Sequence, residues 1–493
     1  MKLSQYQPQL TAAFVAQSLH LSLSNLAEIE FTSVTTDSRK VELGSLFIAI
    51  EGEKMDGNDF VETAVHAGAT GVICRHGVQV PVRPGLVVFH VKDTLTAYRR
   101  LAGSWRREFS IPMIAVAGSA GKTTTKELLS AILQGRWNKV LKTQGSQNGF
   151  VGIPMTLLEL RPQHQAAVIE VGIDEIGAMT QHMKLVAPTA SVLTAIGPEH
   201  LDKLIDVPTV AHEEGIALSH VAKNKGLVAI SLDDPWIRPH RSTLKDGQIL
   251  SFTLESNPPA SSHTLQGKLS ADQKELTLSG AGLDGLCLKL PLLGKHNASN
   301  LLAAIAVAAG LGLTKDEIQK GLSQFKGAEG RSEIKDLPGP TSVICDYYNS
   351  QPASVRAGLE LLQQLSQGSN VARWACLGDM LELGENEERF HREIAPQLVQ
   401  LRIENVLLFG PRMRALLDEL KKLNFSGRLE HFESHADLAQ ALIQGSKPGD
   451  TFLIKGSRGM RMEEVWKVFQ AYAISRWTKS HESQDRSTDS RVN

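Results

Sequence analysis

The stretch from Ile111 to Leu133 constrains this chain more than any other. Ile111 to Ala117 is an apolar run of buried-strand length, and the apolar spacing from Lys122 to Leu133 is helical. Between them Gly118-Ser119-Ala120-Gly121-Lys122-Thr123-Thr124 leaves space for only a tight turn. Glycines let backbone N–H groups close on a phosphate, and the helix N-terminus adds its partial positive charge. In such a turn Lys122 reaches the β- and γ-phosphates of a nucleotide and the Thr123 hydroxyl faces Mg²⁺. The full Walker spacing puts a glycine where Val116 stands, so the loop is a shortened one. An incidental lysine after a glycine-rich turn is the competing reading, and the flanking strand and helix weigh against it.

At 493 residues the chain is too long for one core and suggests about three domains. Lys and Arg number 52 against 53 Asp and Glu, so no overall basic field favours nucleic acid or an anionic membrane. Four cysteines stand far apart without a C-x-x-C pair, as free thiols in a reducing compartment do. The longest apolar run, Leu301 to Leu313, is too short for a bilayer. These features together predict a cytoplasmic protein without stable membrane insertion.

Alternating patterns divide the chain. A helix from about Leu95 to Arg107 closes a small α/β N-terminal domain over 1–108. A central domain over 109–328 follows, with buried strands at Ala167–Val171 and Ser191–Ile196, an antiparallel appendage from Thr264 to Leu290, and a helix Asn297–Leu311. From 329 to 477, strands at Ser342–Asp346, Trp374–Leu377, Asn405–Phe409, Leu429–Phe432 and Thr451–Ile454 alternate with helices. That is a Rossmann-like domain without a dinucleotide fingerprint. The polar tail 478–493 reads as disordered. The fold class is therefore α/β in three domains, the central one an ATPase-like, mostly parallel sheet with a phosphate loop.

Several residues could do chemistry. Glu170 ends a buried strand, where ligands of open α/β sheets bind, and His200 ends a similar one; both are candidates for a cation beside the phosphate loop. Asn297 and Asn300 open an apolar helix, where capping is the favoured reading and contact with a purine edge the other. Arg331 falls at the domain junction, from which it could reach phosphates on closure. Three loops after buried strands, Asp346–Pro352 with Tyr348 and Asn349, Leu377–Gly384, and Lys455–Gly459 with Arg458, would line one sheet edge. Their carboxylates and Arg suit a small zwitterion.

These motifs, in this order over roughly residues 30 to 470, resemble the Mur ligase family. Thr36-Asp37-Ser38-Arg39-Lys40 and Gly52 to Phe60 are similar to its uridine-nucleotide domain, and the short Gly-x-x-Gly-Lys-Thr-Thr loop to its phosphate loop. The resemblance implies an amide ligase that uses ATP and Mg²⁺, with an acyl-phosphate intermediate, and that joins D-alanyl-D-alanine to UDP-N-acetylmuramoyl-tripeptide as a monomer. By that resemblance Gly118 to Thr124 with Lys122, His296, Asn297, Asn300 and Arg331 bind ATP. Thr123, Glu170, His200 and Glu214 hold Mg²⁺. Ser38, Arg39 and Asn148 meet the nucleotide-sugar substrate, and Asp346, Tyr348, Asn349 and Arg458 the dipeptide.

The sequence also departs from the family. Glu214 stands where a carbamylated lysine is usual; a carbamate turns lysine into a long carboxylate, so glutamate is a shorter substitute. Ala195, Gly149, Gln351 and Ala353 replace residues usual in the family. Other readings are a Mur-like ligase with a different amine or carboxylate, a catalytically weak nucleotide-binding module, and a simple ATPase.

Overall fold

The computed structural model describes residues 8–22, 29–52, 55–244, 248–255, 263–366 and 371–488, with side chains through Trp477. Three sheets follow one another along the chain. The first has four parallel strands in sequence order, Ser33–Thr35, Ser45–Ile48, Gly71–Arg75 and Val87–Val91. Its last helix, Thr94–Arg107, is capped by Asp93 and belongs as much to the next domain as to its own. Trp105 Nε1 donates to Leu160 O at 3.1 Å, and the buried Arg106 guanidinium donates to Val186 O and Ala187 O at 2.8 and 2.9 Å. A buried arginine satisfied by carbonyls ties the two units through an otherwise apolar seam.

The central sheet has nine strands. From one edge they run Cys287–Lys289, Glu275–Ser279, Thr264–Leu269, Gln248–Thr253, Leu227–Ser231, Ala190–Leu193, Met113–Ala117, Ala166–Glu170 and Val140–Lys142. Met113–Ala117 is fully buried, with its later partners on both sides. Strand order reverses around it, and such a switch point opens a crevice at the carboxyl ends of the strands. The phosphate loop emerges there. The three edge strands from Thr264 pair antiparallel, as their alternating pattern predicts.

The C-terminal sheet runs Glu333–Leu337, Thr341–Asp346, Thr451–Lys455, Arg373–Gly378, Asn405–Phe409, Arg428–Phe432. All pairs are parallel except the hairpin Glu333–Leu337 with Thr341–Asp346. That first strand escapes sequence reading because its residues, Glu-Ile-Lys-Asp-Leu, carry three charges. Strands Thr341–Asp346, Thr451–Lys455 and Arg373–Gly378 are neighbours, so their carboxyl ends share one edge.

Two expectations need correction. The strand before His200 ends at Leu193, and Gly197-Pro198 cannot continue a ladder, so His200 lies in a loop and precedes the short helix Leu201–Leu204. The last helix runs Glu463–Thr488, into the tail expected to be disordered; extending an existing helix costs far less than starting one. Residues 489–493 of that tail lie outside the described ones.

Candidate active site

A cleft of ≈ 350 Å³ lies where the central and C-terminal sheets face each other, lined from both sides. On the central side, Gly118 and Gly121 take φ of +117° and +85°, conformations that favour glycine. A Cβ on Gly118 would lie 2.6 Å from Thr194 Oγ1, and one on Gly121 would lie 2.3 Å from Asn300 Oδ1. The helix Lys122–Leu133 begins with no side-chain cap, leaving its first N–H groups to a ligand. Two of the expected phosphate-binding residues have their N–H groups engaged already, Gly118 donating to Glu214 Oε2 at 2.8 Å and Ser119 to Ala195 O at 2.7 Å.

The cleft floor is charged. Lys122 Nζ donates to Gly118 O at 2.5 Å and to Glu199 Oε2 at 3.2 Å. Burial pulls its ammonium down, but Glu199, Glu214 and Glu170 together hold it above its ordinary value. Glu214 is fully buried; burial first, and then the facing carboxylate of Glu199, push its carboxyl well above the usual carboxylate range. Glu199 Oε1 and Glu214 Oε1 are two buried acceptors with no donor among the described residues.

Thr123 Oγ1 donates to Glu170 Oε1 at 3.1 Å and lies 3.0 Å from Ser146 Oγ. Asn148 Nδ2 donates to the same Glu170 oxygen at 2.8 Å. One helical turn after Lys122, the fully buried Lys126 donates to Thr143 O and Gly145 O at 2.8 and 2.5 Å and stands 3.4 Å from Glu170 Oε2. Among the described residues no three His, Cys, Asp or Glu side chains converge closely enough to cage an ion unaided. The hard oxygens of Thr123, Glu170, Glu199 and Glu214 nevertheless suit Mg²⁺ that is also held by phosphates and water.

Toward the C-terminal domain, Asn297 is not a cap: Gly294 is, and Asn297 Nδ2 donates to Leu293 O at 2.9 Å. Asn300 Nδ2 is 3.4 Å from Asn297 Oδ1, and His296 Nε2 is 3.4 Å from Ser332 Oγ. Arg331 bridges the domains, donating to Ser146 Oγ at 3.0 Å with its guanidinium 4.0 Å from the Tyr348 ring centroid. Lys455, only 1% exposed, donates to Asp346 Oδ2 at 2.6 Å and Asn349 O at 2.9 Å. It fixes the loop that presents Asp346, Tyr348 and Asn349 to the cleft.

Some expected residues are not gathered here. Arg458 sits outside the lining, paired with Glu463 at 2.8 Å, its guanidinium 5.7 Å from the Tyr348 ring centroid. Ser38 and Arg39 form a short turn of the N-terminal domain, with the exposed Arg39 held by Asp37, and do not line the cleft. In the loop after Gly378, Asp379 is turned inward and accepts the Met413 and Arg412 N–H groups at 2.9 and 3.2 Å, so it supports a helix start and not a zwitterion. Glu199, Lys126 and Ser146 escape the sequence reading, and Lys455 enters it only as the first residue of a loop. A lysine four residues after another on a helix gives no sign that it points inward.

Residues 30–105, 116–308 and 330–458 match, in that order, the catalytic domain of the Mur ligase family, the Mur ligase middle domain, and the Mur ligase glutamate ligase domain. The UDP-N-acetylmuramoyl-tripeptide–D-alanyl-D-alanine ligase of Bacillus subtilis is 34% identical over 439 residues, 88% of this chain and 92% of that one. The Escherichia coli enzyme of the same name is 31% identical, covering 90% of this chain and 95% of its own. A crystal structure of MurF from Acinetobacter baumannii superposes with a TM-score of 0.81 at 28% identity, over 94% of this chain and 99% of that one. The MurF ligase of Thermotoga maritima, solved with ADP, shares the fold at a TM-score of 0.76 and 24% identity, over 90% and 98% of the two chains.

Proposed function

The chain belongs to the Mur ligase family, and we propose that it joins D-alanyl-D-alanine to UDP-N-acetylmuramoyl-tripeptide by ATP-driven amide formation, a step in making the peptidoglycan precursor. The carrying observation is the shared cleft: the phosphate loop and Glu170 on one wall, Asp346, Tyr348 and Asn349 on the other. The tripeptide carboxylate attacks the γ-phosphate to give an acyl phosphate and ADP. The dipeptide amine then attacks the carbonyl, losing a proton, and inorganic phosphate leaves.

Such chemistry asks for positioning and charge neutralisation more than for acid–base groups. Lys122 and the open N–H groups of the helix Lys122–Leu133 neutralise the phosphates. His296, Asn297 and Asn300 hold the nucleotide side and Arg331 the phosphate side. Asn148 orients the acceptor carboxylate, and Ser38 and Arg39 bind the uridine nucleotide from the first domain. Asp346 and Asn349 receive the dipeptide, with Tyr348 beneath Arg331 and Arg458 at the rim.

Thr123, Glu170, His200 and Glu214 would hold Mg²⁺, with Glu199 beside Glu214. The ion supplies Lewis-acid stabilisation of charge on the transferring phosphoryl group. The oxygens of Glu199 and Glu214 that lack a donor among the described residues favour this reading, since buried acceptors without donors are costly unless a ligand meets them. Glu214 thus serves directly as the carboxylate that the family makes from lysine. The working compartment is the cytoplasm, in keeping with the described helices, none of which is long and apolar enough to cross a membrane. Dipeptide-dependent phosphate release from ATP, with the product weighed, tests the proposal.

A further inference from the structure

The loop Leu377–Gly384 has no place in the cleft lining, yet it meets the site at one point. Glu382 Oε2 lies 3.2 Å from His200 Nδ1 across the domain junction. The backbone repeats the contact, with Leu201 N–H donating to Glu382 O at 3.3 Å. Gly384 packs so closely there that a Cβ would lie 3.1 Å from Asp202 N and Leu201 C. His200, Glu382 and the β-branched Ile205 all hold positive φ, +46°, +63° and +70°. Left-handed backbone at both residues of one contact, His200 and Glu382, neither of them glycine, persists only where surroundings enforce it, and such strain gathers at functional sites.

We propose that Glu382 of the C-terminal domain is the positioning residue for His200 of the central domain. A carboxylate at Nδ1 selects the tautomer with its proton there, which leaves the Nε2 lone pair free to bind a cation. His200 lines the cleft and Glu382 does not, so the glutamate acts through the imidazole and touches no substrate. The inference rests on the reading of His200 as a cation ligand and adds a consequence to it. The ligand set is complete only when the two domains are docked, so phosphoryl transfer waits for the domain that brings the amine. An acyl phosphate made earlier would be open to water.

The test uses the full chain with ADP and Mn²⁺ as the probe, its affinity read by electron paramagnetic resonance titration. Glu382→Ala weakens Mn²⁺ binding about 10- to 100-fold, the usual effect of losing a carboxylate behind a ligating histidine. Glu382→Gln, whose amide oxygen accepts the same N–H, stays within a few-fold of the unaltered protein. His200→Ala also weakens binding, and adding Glu382→Ala to it changes nothing further. Unchanged affinity in Glu382→Ala, or a double variant weaker than His200→Ala by the full factor of Glu382→Ala, overturns the inference and leaves a mere domain latch. Unchanged affinity in His200→Ala removes the cation role of His200 itself, and this inference with it. Glu382 is solvent-facing, so its substitutions leave folding intact, which the thermal melt of each variant checks.

Discussion

Glu214 Oε2 accepts the Gly118 N–H at 2.8 Å, which fastens the helix Val207–Lys223 to the start of the phosphate loop. The same carboxyl faces Glu199, whose Oε2 accepts from Lys122, so one chain of contacts runs from loop backbone to Lys122. Removing Glu214 therefore affects both loop position and cation binding. Glu214→Ala lowers kcat about 100-fold or more and raises the Mg²⁺ concentration for half-maximal rate. Glu214→Gln, which keeps an acceptor for Gly118, loses Mg²⁺ affinity with less damage to loop order. Steady-state kinetics over a Mg²⁺ series separate the two, and an unchanged Glu214→Ala enzyme contradicts the assignment.

Arg331 spans the two domains between Ser146 and the Tyr348 ring. On the proposed reading, Arg331→Ala removes the charge that would meet the phosphates and the stacking on Tyr348 in the loop that would receive the dipeptide. The expected result is a KM rise of about 10-fold or more for both ATP and dipeptide, with the nucleotide-sugar KM little changed. A lysine restores charge without the planar stack, so Arg331→Lys recovers ATP binding better than dipeptide binding.

The phosphate-loop helix is packed without slack on its far side. A Cβ at Gly321 would fall 2.4 Å from the carbonyl oxygens of both Ala131 and Ile132. Neither helix backbone can yield locally, so Gly321→Ala destabilises the protein by about 1–3 kcal/mol. A lowered melting temperature with near-normal kinetics below it is the expected outcome.

His182 is fully buried against the Phe150 ring, 4.6 Å between centroids, and neither ring nitrogen has a hydrogen-bond partner among the described residues. Burial, aided by Arg99, lowers its pKa to about 4. The unfolded chain binds this proton at higher pH than the folded one. Stability at neutral pH is thus complete and falls as pH drops from about 6.5 towards 4, by up to about 3 kcal/mol. His182→Phe flattens that part of the curve in denaturant titrations at successive pH values. An equal slope in both proteins contradicts the assignment.

Legibility in the sequence followed the range of the interactions. The helix Lys122–Leu133 and the strand Asn405–Phe409 have the limits that their local patterns predict. Glycine, lysine and apolar runs announce such elements within a dozen residues. Glu170 was likewise visible as a lone carboxylate closing an apolar strand. The partners that define the floor are not local. Glu199 meets Lys122 across 77 positions and Lys455 meets Asp346 across 109, and nothing in either segment names the other. Buried lysines such as Lys126 and Lys455 look like surface residues until their carbonyl partners are known. Asp379 misled for the opposite reason, since a strand-end carboxylate serves a helix start as readily as a ligand.

The most direct test of the ligase reading is phosphate release by the purified protein with ATP, Mg²⁺ and UDP-N-acetylmuramoyl-tripeptide, with and without D-alanyl-D-alanine. The account predicts release that depends on the dipeptide, with a product heavier than the tripeptide substrate by one dipeptide less one water. Release at the same rate without dipeptide, or none despite measurable ATP binding, would contradict it.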